Sequence, residues 1–311
     1  RVNYVILFNS FNIVNQQTMK RNYALITGLG AISAAGSNIA ETLNSFSLKK
    51  RNAGPVTLFD TPLKYPVFEV KEISGEFYLE GQRTLSLALC AVKEALKEAH
   101  LNDKLSKLRI GVCMGTTVAS QLNDLEFYKS YRNSGSAPMA AVDRYLKRNL
   151  AEFISHKIKA KGPSLTVVNA CSSGTDAIGV ALTWLNNDLC DIVVAGGADE
   201  LSRIPLCGFG SLGIVSSELC APFDRDRKGL NLGEGAGVLV LETKGSAQHR
   251  GISSELYLAG YGSSSDAYHL TSPHPEGAGL KTSIKKALTD ACVEPQEISF
   301  VNAHGTATPE N

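Results

Sequence analysis

The chain has 311 residues, 43% of them hydrophobic and 20% charged, with a formal net charge of +1. These figures suit a globular chain with a large core. They exclude a disordered one and offer no basic surface of the kind that binds nucleic acid. Seven scattered cysteines with no C-x-x-C pair (Cys90, Cys113, Cys171, Cys190, Cys207, Cys220, Cys292) argue for a reducing cytoplasm and against a disulfide framework or a structural zinc site.

Residues 1–18, RVNYVILFNSFNIVNQQT, carry an apolar run broken by Asn3, Asn9 and Asn12. It is too short to span a bilayer and has no small-residue cleavage site. These residues are read as a non-native or upstream segment, with Met19 as the truer beginning. No other segment approaches membrane-spanning length, so no membrane partner is expected. YALIT (23–27) predicts a buried strand, followed by a Gly-rich turn and a helix from about Ser37. The turn GLGAIS (28–33) is read as structural, because Ser33 stands where a dinucleotide site has its third glycine and no suitable acidic residue follows about twenty positions on.

Leu85, Leu89, Val92 and Leu96 fall on one helical face over 83–99, and RIGVCMG (109–115) predicts a strand ending in glycine. The basic run KRNLAEFISHKIKAKG (147–162) is read as a solvated helix face. SLTVV (164–168), a helix from about Gly174 to Asn186, and DIVVAGG (191–197) form a β-α-β unit. Its helix is apolar nearly all round and belongs inside the protein. After GVLVLE (237–242) the pattern restarts with a strand at ELYLAGYG (255–262), a helix at 277–292 and a strand at ISFVNAHG (298–305). Short apolar strands alternating with helices predict a mainly parallel sheet covered on both faces. The second series stops at Asn311, so the chain reads as a fragment with three parts: 1–18, 19–254 and 255–311. His269 and His274, five apart in a Pro-flanked loop, do not make a metal site.

Cys171 falls between a strand's end and a helix's start. Backbone N–H groups there lack intrahelical partners, and the helix dipole favours a thiolate. Ser172, Ser173 and Gly174 keep the corner small, and its N–H groups could hold a developing oxyanion. A packed, inert cysteine is the competing reading. His304, after a strand predicted to be buried, is suited to donating a hydrogen bond or exchanging a proton near neutral pH; a structural histidine is its competing reading. The hydroxyls of Thr306 and Thr308 suit a polar linker.

Taken together, VNACSSGTDA, APFDRDRKGLNLGEGAGVLVLE (221–242) and VNAHGTATPEN (301–311), in this order and spacing, resemble the β-ketoacyl-acyl-carrier-protein synthases of the thiolase superfamily. GYGSSSDAYHLTSPHPEGAG (260–279) is similar to the elongating, synthase II type, and the resemblance runs from Lys20 to Asn311. It implies an α/β, thiolase-like, five-layered α-β-α-β-α fold with its second half incomplete in this chain. It also implies a homodimer in which the SLTVV strand pairs with its twin, and an acyl carrier protein as partner. Cys171 matches the acyl-accepting nucleophile and His304 the first of two histidines that assist decarboxylation. Thr306 and Thr308 match contacts to the phosphopantetheine arm, Thr271 a hydroxyl near the malonyl site, and Val118 a position that lines the acyl pocket. The implied reaction is a decarboxylative condensation of a Cys171-bound acyl group with a malonyl thioester. It needs no metal or redox cofactor.

Two departures qualify the match. The second histidine, a lysine and a gating loop of the family lie beyond Asn311, which leads to the expectation that the parent protein condenses acyl chains while residues 1–311 alone do not. NSGSAPMAAV (133–142) and CGFGSLGIVSSE (207–218) are also uncharged until Glu218, where basic residues would steer an acidic carrier. A pathway-specific carrier, or docking on other basic residues such as Arg83, would accommodate this. The alternatives are a polyketide-type ketosynthase, a biosynthetic thiolase (disfavoured by HGTAT) and a non-catalytic carrier-binding remnant.

Overall fold

A computed structural model describes residues 2–9, 23–101, 108–117, 119, 121–147, 149–269 and 272–309. In chain order the elements are β1 Val2–Asn9, β2 Ala24–Ser33, α1 Ile39–Ser47, α2 Arg83–Glu98, β3 Ile110–Gly115, α3 Gln121–Ser134, α4 Ala140–Lys147, α5 Leu150–Lys157 and β4 Ser164–Val167. They continue with α6 Ser173–Asn186, β5 Ile192–Asp199, α7 Arg203–Ser211, β6 Gly235–Glu242, α8 Lys244–Arg250, β7 Leu256–Ser264 and α9 Ala278–Ala291.

The strands follow the order β1-β7-β2-β6-β5-β3-β4. β3 is parallel to β4 and β5, but β6 is antiparallel to β5 and β2, and β7 to β2 and β1. The expected mainly parallel sheet is therefore corrected to a mixed one. Alternation of strands and helices does not fix direction when a connection fails to cross the sheet. The segment after β5 stays at the end where that strand finishes, so β6 enters with Gly235 opposite Asp199 and runs back.

Alternate residues of the strands supply two cores. Ile110, Val112 and Met114 of β3, with Ile192 and Val194 of β5, meet Leu85, Leu89, Val92 and Leu96 of α2. Cys113, Val193, Ala195 and Leu241 point the other way and meet Ala177, Ala181, Leu182 and Leu185 of α6. Each large apolar side chain buried in this way contributes about 1.5–3 kcal/mol. The basic run follows the same logic, since α5 turns Leu150, Ala151 and Ile154 inward while Lys157 stays exposed.

β7 meets β2 at only two residue pairs, Ala24↔Leu258 and Leu25↔Tyr257. Beyond that corner it lies over α6, with the Tyr261 ring where a Cβ on Gly179 would sit. Its other face receives α9, and residues 2–9, within the segment set apart in the sequence reading, run antiparallel along it as β1. The layers are thus α2 and α5, then the β2-β6-β5-β3-β4 sheet, then α6, then β7 with β1, then α9. A helix held between two sheets must be apolar all round, which is the pattern of α6.

The strand expected at 298–305 is not formed, and Phe300 and Val301 are 83% and 63% exposed. An extended segment becomes a strand only beside another that takes its N–H and C=O groups, and no described strand lies alongside this one. β4 lies at the sheet margin, so Leu165 is exposed where SLTVV had read as uniformly apolar.

Candidate active site

Strands β3, β4 and β5 finish at one end of the sheet, with Gly115 paired to both Val167 and Gly197. The carboxyl ends of parallel strands are where open α/β sheets place their ligand crevices. A cavity of about 390 Å³ opens there, with Thr117, Ala170, Cys171, Asp199 and Glu234 among its walls. α6 begins hard against β3, since a Cβ on Gly115 would lie 2.2 Å from the Ser173 carbonyl carbon.

The corner bearing Cys171 is sharply bent. Ala170, immediately before it, has φ +50°, a left-handed conformation that costs a non-glycine residue about 1–3 kcal/mol. Surrounding bonds hold it there. The Ala170 carbonyl accepts from Thr117 Oγ1 at 3.0 Å, from Ser173 Oγ at 2.6 Å and from the Ser173 N–H at 3.1 Å. Asp199 Oδ1 in turn accepts from Thr116 Oγ1 and the Thr117 N–H, both at 2.7 Å. The bend turns Cys171 outward and leaves it exposed at the cavity wall.

Beneath the cavity lies an ion pair. Glu234, its side chain fully buried, accepts from Arg83 at 2.6 and 2.8 Å and from the N–H groups of Val70 (2.8 Å) and Leu201 (3.1 Å). Arg83 also donates to the Val70 carbonyl at 2.7 Å. Its charge is spent inside the protein, so the suggestion that Arg83 docks a carrier is corrected.

His304 is exposed and is not among the residues that line the cavity at Cys171. Its segment is fastened to the loop before β6. Arg227 donates to the carbonyls of Thr308 (2.8 Å) and Pro309, and Gly305 lies against the Phe223 ring. Thr306 and Thr308 are joined through their hydroxyls at 2.9 Å. The 221–242 stretch therefore touches both other motifs, reaching the histidine segment at one end and the Cys171 cavity at the other. Val118 and Thr271 lie outside the described residues.

The sequence reading missed Thr117, Asp199, Glu234, Asn169, Asp176 and Tyr261. Some signals were present: Thr117 and Asp199 each lie two residues past the glycine that ends a predicted strand, Gly115 and Gly197, and Asp176 is the only charged residue of α6.

Residues 71–247 match the beta-ketoacyl synthase N-terminal domain, and residues 257–311 match the C-terminal domain of the same family. The chain belongs to the beta-ketoacyl synthase family. It is 32% identical over 304 residues to a 3-oxoacyl-[acyl-carrier-protein] synthase 2 of Staphylococcus aureus strain N315, covering 92% of this chain and 73% of that one. The synthase of the same name from Synechocystis is 30% identical over 311 residues, covering 94% and 75%. Among solved structures, the ishigamide ketosynthase/chain length factor superposes with a TM-score of 0.83 at 30% identity, covering 94% and 75%. A type II PKS ketosynthase in complex with its acyl-carrier protein gives 0.84 at 25% identity, with the same coverage. The five layers described above are the thiolase-like α/β fold of this beta-ketoacyl synthase family.

Proposed function

We propose that the reaction of this ketoacyl synthase is the condensation of an acyl group with a malonyl thioester in fatty acid elongation, with Cys171 as the acyl acceptor. The observation that carries this reading is an exposed cysteine at the mouth of α6, turned into a cavity by a left-handed residue. The Cys171 sulfur attacks the thioester carbonyl of an acyl carrier protein's phosphopantetheine arm. A C–S bond forms, and the tetrahedral oxyanion collapses to expel the arm's thiol. The N–H groups of Ser172 and Ser173 are turned back onto the Asn169 and Ala170 carbonyls. The oxyanion is therefore assigned to the N–H groups of Cys171 and Gly174, which border the cavity.

In the second step the malonyl group loses carbon dioxide. The resulting enolate carbon attacks the acyl-cysteine carbonyl and releases the sulfur, leaving a β-ketoacyl thioester two carbons longer. We assign His304 to the enolate oxygen, Thr306 and Thr308 to the phosphopantetheine arm, Thr271 to the malonyl site and Val118 to the acyl pocket. The attachment of the His304 segment to the 221–242 stretch that also walls the cavity supports the roles of His304, Thr306 and Thr308; those of Thr271 and Val118 rest on the family resemblance. Sulfur, imidazole and hydroxyl groups suffice for these steps, so no cofactor is proposed beyond the arm carried by the partner.

We further propose a homodimer joined along the β4 edge, supported by the exposed Leu165 and Val168, and a division into halves at residues 19–254 and 255–311 after a non-native or upstream segment at 1–18. A cytoplasmic location is supported by seven free thiols; among the described residues no helix is long and apolar enough to cross a membrane.

A labelled acyl-carrier thioester tests the central role. It is expected to leave its acyl group on Cys171 and none on Cys171→Ala, whereas His304→Ala still takes the acyl group but no longer releases carbon dioxide from a malonyl thioester. The alternative, a polyketide-type ketosynthase, draws on the likeness to the type II PKS ketosynthase. A product that keeps its keto groups through successive condensations would decide for it.

A further inference from the structure

Asp176 is a carboxylate in the middle layer of the molecule. It sits in the first turn of α6, is 7% exposed, and has only apolar or uncharged residues for company along its helix. Burying such a group is costly unless hydrogen bonds replace its water. The donors it has gathered are informative. Oδ2 accepts from Asn169 Nδ2 at 2.5 Å and from Ser172 Oγ at 3.2 Å, and Oδ1 accepts from the Tyr261 hydroxyl. Asn169 and Ser172 are the residues on either side of Ala170 and Cys171. The carboxylate thus holds both feet of the bend that presents the thiol. The two feet are also bonded to each other, Asn169 Nδ2 to Ser172 Oγ at 3.0 Å and Ser172 Oγ to the Asn169 carbonyl at 2.9 Å.

Tyr261 comes from the other sheet. Its ring rests on Gly179 of α6, and its N–H donates to Asp290 of α9 at 2.9 Å. A continuous set of contacts therefore runs from α9 through β7 to the base of the nucleophile corner, between residues 85 apart in the chain. Asp176 does not line the cavity, so it acts on the reaction only through the corner.

We infer that Asp176 is a positioning residue for Cys171, oriented by Tyr261, and that the packing of the second sheet on α6 sets how fast the nucleophile is acylated. This rests on the reading of Cys171 as the acyl acceptor. The bent corner stores strain at Ala170, and a strained segment keeps its geometry only while its neighbours over-determine it. Loss of one foot lets the corner relax and the sulfur leave its line of attack.

Tyr261→Phe is the informative variant, because it removes one hydroxyl and keeps the ring that packs on Gly179. With a labelled acyl-phosphopantetheine thioester, acylation of Cys171 is expected to slow about tenfold in kcat at unchanged KM, the effect of about one hydrogen bond to a charged group. Asp176→Asn, which sets an amide against the Asn169 amide, should lose more. The exchanged pair Asn169→Asp with Asp176→Asn should recover part of the loss by restoring donor to acceptor. Melting temperatures are measured alongside, and iodoacetamide alkylation of the exposed Cys207 in α7 serves as a control that stays constant. Wild-type rates in both Tyr261→Phe and Asp176→Asn would overturn the inference, as would variants that melt earlier but acylate at the wild-type rate while folded. If the wild-type chain takes no acyl group, the acyl-acceptor reading fails instead. The positioning inference is then decided by the ratio of Cys171 to Cys207 alkylation. A change of threefold or more in Tyr261→Phe sustains it, and an unchanged ratio ends it.

Discussion

Cys113 is pushed up to about 12 by burial, and Cys90 and Cys190 to about 11, so all three stay protonated at neutral pH and serve as apolar filling. The exposed thiols are Cys171, Cys207 and Cys292. Cys292 caps the C-terminal end of α9, and Cys207 lies within α7. Only Cys171 of these three combines exposure with the mouth of a helix and a cavity. The residue before it carries the bend. Ala170→Val places a β-branched side chain at φ +50° and is expected to cost about 1–3 kcal/mol, read from urea unfolding, together with a severalfold loss of acylation. An unchanged urea midpoint would mean that the corner relaxes without penalty.

Among the elements, the connections are pinned by buried or well-donated carboxylates. Glu234, ahead of β6, faces Arg83 at the start of α2, with side chains 0% and 18% exposed. Removing one partner leaves the other charge buried, so Glu234→Gln is expected to destabilise the fold by about 3–5 kcal/mol and to disturb the cavity floor. Asp266, between β7 and α9, accepts the N–H groups of His274 (2.9 Å) and Gly279 (2.7 Å), which hold its carboxyl below the usual aspartate range. A folded-state value lower than the unfolded one gives stability that is present above the unfolded value and lost as pH falls through the folded one. Asp266→Asn should therefore melt earlier than wild type at pH 7. The gap should close as pH drops below the ordinary value of 3.8, as thermal melts across that range would record. A gap independent of pH would assign the loss to geometry and not to charge.

For the whole molecule, the margin of the first sheet matters most. β4 leaves Leu165 and Val168 44% and 68% exposed beside unpaired strand edge, a surface that a second copy would cover. Val168→Asp is expected to convert the proposed dimer to monomer in sedimentation while leaving the α2 core intact, and a dimer that survives it would place the interface elsewhere. The opposite margin is already guarded: on β2, Glu98 accepts the Leu29 N–H, Glu94 the Ala31 N–H at 2.9 Å, and Ser254 Oγ caps the Ile26 carbonyl at 2.6 Å.

What local sequence determined is what depends on residues a few places apart. The leucine face of α2, the all-round apolar α6 and the placing of Cys171 between strand and helix follow from periodicity and from where glycines fall, because side-chain direction repeats every 3.6 or 2 residues. Tertiary structure decided the rest. Whether a strand runs up or down, whether 298–305 finds a neighbour, whether Arg83 faces solvent or Glu234, and whether Ala170 is held left-handed all depend on groups brought together from afar. Arg83 meets its carboxylate 151 residues away, and Tyr261 meets Asp176 at a separation of 85. No local period encodes such meetings, since they exist only once elements distant in the chain have packed together.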